Sequence, residues 1–465
     1  MIVNLAERAH NHNWRVDPIV RSLLDTDFYK LLMLQFIWKH FPKVEVAFTI
    51  VNRSSSVRLA EIISEDDLRM QLDYVRNLRF RKSELIWLAG NTFYGTRGIF
   101  EPAFLEWLDR DLRLPEYSIA SVDGQLHLRF AGAWPLVTLW EVYALSILSE
   151  LKSRFAMRAL SEFALDILYA RAKARLWGKI ERLRGVPGLR VADFGTRRRH
   201  SFLWQEYVVN AMRDSLGESF TGTSNTYLAY KHDLEAIGTN AHELPMALAA
   251  LADDDAQLKA AQYHLLDLWQ NTYKRELLVM LPDTFGTTQF LRDAPDWVAD
   301  WTGQRIDSKD PFVAGEEYIA WLRQRGRDPR SKLLVASDGL DVEQILGLHA
   351  QFSGAIQPPF TARDFHRAED FVDGTKWVPG RRIRFSAGWG TLLTNDFRDC
   401  DPRGEAGAES AFDPISLVCK LSEANGRATV KLSDNFAKAN GTPEDIARYR
   451  RVFGAEGMSN QPTLV

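Results

Sequence analysis

The chain has 465 residues, 46% hydrophobic and 11% aromatic, which is too much apolar material for one ordinary domain and ample for a large core. Its 58 Lys plus Arg balance 61 Asp plus Glu, so no global field favours nucleic acid or an anionic membrane as a partner, and any anion site must be local. Only Cys400 and Cys419 occur, with no CxxC and no HExxH, which argues against a disulfide framework or a zinc site and fits a reducing cytoplasm.

The opening MIVNLAERAHNHNW lacks a basic region followed by an apolar stretch, and the longest apolar region, Leu136 to Leu148, is short and interrupted by Glu141, so no membrane span is predicted. An amphipathic helix is expected from Asp25 to His40, stopped by Pro42, followed by the alternating strand VEVAFTIVN. Asp123-Gly124 ahead of the strictly alternating QLHLRF predicts a β-hairpin. Leu136 to about Trp177 reads as helix, and the RGVPG turn near Gly185 to Gly188 marks a domain boundary, giving an N-terminal α+β domain over 1–185. Seven short apolar runs then alternate with helical patterns: LRVADFGT, SFTGTS, EAIGT, ELLVMLPDT, GQRIDS, KLLVASDG and RIRFSAG. Seven βα steps predict an α/β fold, an irregular barrel over 186–410 whose active face lies at the strands' C-terminal ends; no GxGxxG supports an open dinucleotide-binding sheet. The polar, aperiodic segment 357–382 reads as an insertion or lid. Residues 411–465 read as a C-terminal segment with a hairpin at Asn425-Gly426 that returns to the N-terminal sheet.

The strand ends carry the chemistry. Asp193-Phe194-Gly195-Thr196 leads into Arg197, Arg198 and Arg199 at a predicted helix start, where free N–H groups and guanidinium groups suit an anion, although a solvated basic turn is an equal reading. Gly388-Trp389-Gly390-Thr391 follows the last barrel strand, where glycines let backbone approach a phosphate. Asp307 with Asp310, Asp338 with Asp341, and Asp283 suit ribose hydroxyls or Mg²⁺, although as isolated motifs turns and helix caps are the commoner reading, by roughly two to one. His242, after GTNA, is a candidate acid, base or phosphorylated imidazole, and Tyr29 is by periodicity an ordinary helix residue.

Nine segments in order, LLDTDFYKL, DFGTRRRHS, GTSNTYLA, IGTNAHELP, DTFGTTQFL, RIDSKDP, ASDGLD, GWGTLLTND and VKLSDN, closely resemble nicotinate phosphoribosyltransferases over nearly the whole chain. The resemblance implies an irregular barrel joined to an N-terminal domain that the C-terminus completes, in a homodimer with shared active sites. It also implies ATP-driven conversion of nicotinate and phosphoribosyl pyrophosphate to nicotinate mononucleotide, the first step of NAD salvage from nicotinate. Phe194 resembles the aromatic on one face of the pyridine ring, and Tyr29 the tyrosine lent to the other face by the neighbouring subunit. Arg305 and Arg197 are placed near the nicotinate carboxylate, with Thr223 and Ser224 at its edge. Relatives that use nicotinamide carry an aspartate in place of Ser224, so the serine favours the acid. His242 matches the histidine that ATP phosphorylates. Asp307 and Asp338 match contacts to ribose or to Mg²⁺ held mainly by pyrophosphate, and Gly388, Gly390 and Thr391 match the 5′-phosphate loop. Two departures stand out: Lys309 replaces a glycine common in DSGDP, and SAGWGT replaces FGIGT. The rival readings are a nicotinamide or quinolinate enzyme of the same superfamily and a non-catalytic nucleotide sensor.

Overall fold

The computed structural model describes residues 18–337, 339–354, 382–405, 407 and 409–460; Asp338 and all but Arg382 of the 357–382 segment lie outside them. In chain order the strands are β1 (Glu45–Asn52), β2 (Thr92–Phe93), β3 (Thr96–Arg97), β4 (Tyr117–Val122), β5 (Gln125–Ala133), β6 (Val191–Asp193), β7 (Phe220–Thr223), β8 (Val279–Met280), β9 (Gly303–Ile306), β10 (Leu333–Ala336), β11 (Arg384–Trp389), β12 (Leu417–Ala424) and β13 (Arg427–Ala428).

An antiparallel sheet runs β13-β12-β1-β5-β4, so the C-terminal strand β12 pairs with β1 from the other end of the chain. Both two-residue turns read in the sequence are present. Asp123 and Gly124 (φ 50° and 76°) join β4 to β5, and Asn425 and Gly426 (φ 48° and 72°) join β12 to β13, the positive angles that tight hairpins require. Along β5 the alternation has its physical cause: Leu126, Leu128 and Phe130 are buried while His127 and Arg129 face solvent.

The helix expected from Asp25 spans Phe28–His40, and it is not amphipathic, because every residue from Phe28 to Ile37 is buried. Its polar members Lys30 and Gln35 are turned inward and paired. The single long helix expected from Leu136 is three helices, Trp134–Val137, Trp140–Arg158 and Glu162–Leu183, the last restarted by Ser161, whose hydroxyl accepts from the Ala164 N–H. No described helix is long and apolar enough to cross a membrane.

Six parallel strands form the second sheet, in the order β7-β6-β11-β10-β9-β8. One of the seven predicted runs, EAIGT, does not become a strand. It makes one parallel bridge, Ala236 to Thr223, on the open edge of β7. Farther along, the Asn240 side chain donates to the Val279 carbonyl of β8 at 3.0 Å. The ring therefore follows chain order from β6 to β11 and is irregular between β7 and β8, where a side chain stands in for a ladder. The polar residues that follow β6, β9, β10 and β11 emerge on one face, beneath β1 and β12 of the antiparallel sheet.

Candidate active site

A cleft of about 210 Å³ opens on that face. It gathers Tyr29, Phe194, Arg197, His242, Arg305, Asp307, Gly390 and Thr391, all singled out from the sequence, and is roofed by Phe48 and Arg53 on one side and residues 416–421 on the other. Seven cationic side chains line it against three carboxylates, so the local field favours a polyanion although the whole chain is nearly neutral.

His242 sits just ahead of the helix Glu243–Ala250, and two barrel loops fix its ring. Nδ1 lies 2.9 Å from Thr284 Oγ1, while Nε2 lies 2.9 Å from Asp307 Oδ2 and 2.9 Å from Lys431 Nζ. These last two contacts require opposite states of Nε2: protonated, it donates to Asp307; bare, it accepts from Lys431. The threonine hydroxyl can donate or accept, so either tautomer is satisfied. Burial holds the His242 imidazole below its ordinary pKa, and Lys431 adds to this against the opposing pull of Asp283 and Asp307, which leaves a neutral ring with nucleophilic capacity. Burial alone would raise the Asp307 carboxyl, but Arg305, His242 and Lys431 hold it well below the usual range. Asp283, 1% exposed, accepts from Ser308 Oγ at 2.6 Å through Oδ2, and its Oδ1 has no hydrogen-bond partner.

Phe194 follows β6 directly, and Gly388 of β11 makes room for its ring: a Cβ on residue 388 would come within 3.0 Å of Phe194 Cδ2. Arg197 reaches the same cleft between two carboxylates, with Nε 3.5 Å from Asp27 and Nη1 3.4 Å from Glu141. Behind it Lys30, with a fully buried side chain, bonds Glu141 at 2.6 Å and also Glu243, which accepts from Trp134 Nε1 and Thr138 Oγ1.

Residues 24–149 match the nicotinate phosphoribosyltransferase (NAPRTase) N-terminal domain and residues 189–361 the nicotinate phosphoribosyltransferase (NAPRTase) family, together well over half of the chain. The chain belongs to the nicotinate phosphoribosyltransferase family. Solved structures agree: the nicotinate phosphoribosyltransferase of Vibrio cholerae is 29% identical, with 95% of each chain covered and a TM-score of 0.75. That of Porphyromonas gingivalis is 27% identical, with 94% of this chain and 100% of that one covered, also at 0.75. A putative nicotinate phosphoribosyltransferase of Saccharomyces cerevisiae is 26% identical, with 94% and 99% covered, at 0.74. The protein is thus an enzyme of this kind, with nicotinate and phosphoribosyl pyrophosphate as its substrates.

Several residue assignments change once the geometry is seen. Tyr29 was expected from a neighbouring subunit, but it lines the chain's own cleft, because Phe28 N donates to Ser224 O and an Asp27–Asn225 bridge docks the helix start on the barrel. Ser224 does not reach the cleft. Fully buried, it donates its hydroxyl to Asp27 Oδ1 at 2.7 Å, and Thr223 likewise donates to Asp193 Oδ2 at 2.7 Å. Ser224 is therefore linked to Arg197 through Asp27 and does not line the cleft. Gly388 serves the Phe194 ring, leaving Gly390 and Thr391 at the cleft. Of the three arginines, Arg199 is wholly buried in a bidentate pair with Asp25, and the helix expected to begin there starts at Phe202 instead. Asp310 and Asp341 are helix caps. Lys309 donates to Thr288 and Glu317, so it replaces the usual glycine with a tether rather than a phosphate contact.

Sequence reasoning missed Lys420, Lys431 and Lys438, which the C-terminal segment brings to the cleft, and Arg53, which lies at the end of β1. Burial, with Arg53 and Lys431 nearby, lowers the Lys420 pKa to about 7. Lys420 is therefore charged below that pH and neutral above it, and the cationic wall weakens as pH rises through about 7. The KM for phosphoribosyl pyrophosphate should rise about two- to fivefold across this window, the worth of one solvent-screened ion contact. Steady-state kinetics against pH checks it: the rise should vanish in Lys420→Met, and an identical profile in that variant would remove Lys420 from the anion site.

Proposed function

We propose that the enzyme drives nicotinate mononucleotide synthesis with ATP hydrolysis, through a phosphoryl group carried on His242, as the first step of NAD salvage from nicotinate in the cytoplasm. The observation that carries this is the environment of Nε2: a buried, neutral imidazole nitrogen at the edge of a polycationic cleft, with Lys431 ready to compensate added negative charge and Nδ1 anchored by Thr284.

In this reading the pyridine ring lies between Phe194 and Tyr29, two aromatic side chains of one chain, and the arginines 197 and 305 face its carboxylate. A flat ring between aromatics is held without being identified, so the guanidinium groups select the acid. Phosphoribosyl pyrophosphate lies beside the pyridine ring in the same cleft, with its phosphates on Lys420, Lys431 and Lys438 and on the backbone at Gly390 and Thr391, next to Phe194. Displacement at the anomeric carbon develops positive charge on the ribose and negative charge on departing pyrophosphate, and Asp307 and the lysines are placed to stabilise each. Mg²⁺ fits this arrangement. Asp283 and Asp307 offer carboxylate oxygens within 4.8 Å of one another, and Asp283 Oδ1 has no hydrogen-bond partner, so these two would hold the cation and leave His242 to the phosphoryl group. Bound there with substrate phosphates, Mg²⁺ would neutralise charge on the leaving pyrophosphate.

The test is mononucleotide formation from nicotinate, nicotinamide and quinolinate, each with phosphoribosyl pyrophosphate and Mg²⁺, with and without ATP. Turnover of nicotinate alone, stimulated by ATP and accompanied by ATP hydrolysis, is the expected result. Equal turnover of nicotinamide would defeat the assignment of the two arginines, and indifference to ATP would defeat the phosphohistidine.

A further inference from the structure

The loop that follows β11 is fixed from two sides. On the barrel side, Thr394 Oγ1 donates to the Gly195 carbonyl at 2.9 Å, the His200 N–H donates to the Thr394 carbonyl at 3.0 Å, and Asn395 Nδ2 donates to the Arg198 carbonyl at 2.9 Å. The outer side is held by Lys179, which reaches over from helix Glu162–Leu183 with a side chain 16% exposed. Its Nζ donates to the Leu392 carbonyl, pairs with Asp396 at 2.6 Å and lies 5.5 Å from the centre of the Trp389 ring. Each contact has a physical cause. A single turn such as Thr391–Thr394 cannot satisfy its own last carbonyls, and the ammonium supplies a donor. Asp396, with a side chain 3% exposed, needs a cation and shares Lys179 with Arg398. Trp389, wholly buried, is the residue that sets SAGWGT apart from FGIGT, and its π face suits a cation where an aliphatic side chain offers none.

We propose that Lys179 is a positioning residue for phosphoribosyl pyrophosphate, setting from behind the backbone at Gly390 and Thr391 that receives a phosphate. The inference rests on the assignment of those two residues to a substrate phosphate. Gly390, Thr391 and Leu392 line the cleft and Lys179 does not, so its effect on the substrate passes through the loop. Donors fixed before binding lose less freedom on meeting the phosphate, and a loop released on its outer side therefore binds more weakly. Arg197 keeps its own anchors, Asp27 and Glu141, so the grip on nicotinate is independent of Lys179.

Steady-state kinetics in both substrates tests this. Lys179→Met is expected to raise the KM for phosphoribosyl pyrophosphate about five- to tenfold, while kcat and the KM for nicotinate stay within about twofold of wild type. Lys179→Gln, with a neutral donor, should fall between, and Lys179→Arg, which keeps charge and donors, should return the KM to within about threefold. Gly390→Ala tests the loop itself: a Cβ there would lie 3.7 Å from Phe194 O, so the protein accommodates it, yet it stands where the phosphate approaches. That variant should raise the same KM, and Lys179→Met added to it should raise it little further, because both act on one contact. An unmoved KM in Gly390→Ala would overturn the phosphate assignment and the proposal with it. A raised KM in Gly390→Ala beside an unmoved one in Lys179→Met would overturn the role of Lys179 alone, as would KM values for the two substrates that rise together in Lys179→Met.

Discussion

Replacing His242 with alanine is expected to abolish the stimulation of nicotinate mononucleotide formation by ATP while sparing basal transfer. The imidazole is the nucleophile proposed for the phosphoryl group, and nothing adjacent can substitute: Thr284 is an unactivated hydroxyl, and Asp307 is held ionised by Arg305 and Lys431. Basal transfer depends on groups the substitution leaves in place, namely Arg305, Lys431 and the Phe194–Tyr29 pair, so kcat without ATP should stay within about tenfold of wild type, less than the loss usual for a group acting directly in proton transfer. A phosphoryl group on Nε2 would add about one and a half to two negative charges, would be repelled by Asp307 and would draw Lys431 toward itself, changing the field felt by pyrophosphate. The measurement is ATP hydrolysis and mononucleotide formation side by side, with ³²P transfer from γ-labelled ATP to the protein. Undiminished coupling in the alanine variant would refute the role of His242.

Much of this architecture is legible in the sequence because it rests on local rules. The Asp123-Gly124 and Asn425-Gly426 turns, the alternation of QLHLRF, and the polar residues closing each barrel run are fixed within a few residues of chain, and the ends of the runs bring Phe194 and Asp307 to one cleft. What is hidden depends on partners far away in sequence. Ser224 and Arg199 look like ligand-binding groups until Asp27 and Asp25, from nearly two hundred residues earlier, are seen to occupy them. Lys431 stood within VKLSDN, a recognised motif, yet only the pairing of β12 with β1 brings its segment over the cleft. A signal for it existed: Lys420, Lys431 and Lys438 recur on a segment already expected to return to the N-terminal sheet. EAIGT had the composition of a strand, and it fails to become one because β7 offers it only a single bridge. Lys30 is hidden because its helix is buried on every side, with no solvent face for a lysine, and hydrophobic spacing alone does not reveal that.

That lysine carries the second large effect expected. Lys30→Met should destabilise the enzyme by about 3–5 kcal/mol, the cost of leaving buried carboxylates without their cation. Burial alone would lower the Lys30 pKa, yet Glu141 and Glu243 raise it above its ordinary value, so the ammonium stays charged and its contribution is lost only at strongly alkaline pH. For Glu141 burial pushes the pKa up, but Lys30 and Arg197 bring it below the usual 4.5; its contribution is present above that value and is lost as the pH falls below it. The site should feel the change as well. Lys30 neighbours Tyr29, holds the carboxylate that steers Arg197, and holds Glu243 at the start of the helix that follows His242. Freed of Lys30, Glu141 would bind Arg197 more strongly and compete with nicotinate for it, so the KM for nicotinate should rise about tenfold, the worth of one charge-assisted hydrogen bond. Denaturant titration and nicotinate kinetics check the two effects separately, and Glu141→Gln added to Lys30→Met should recover KM more than stability, since Glu243 stays uncompensated. A loss of stability with nicotinate KM unmoved would mean that Lys30 holds the fold and leaves Arg197 where it was.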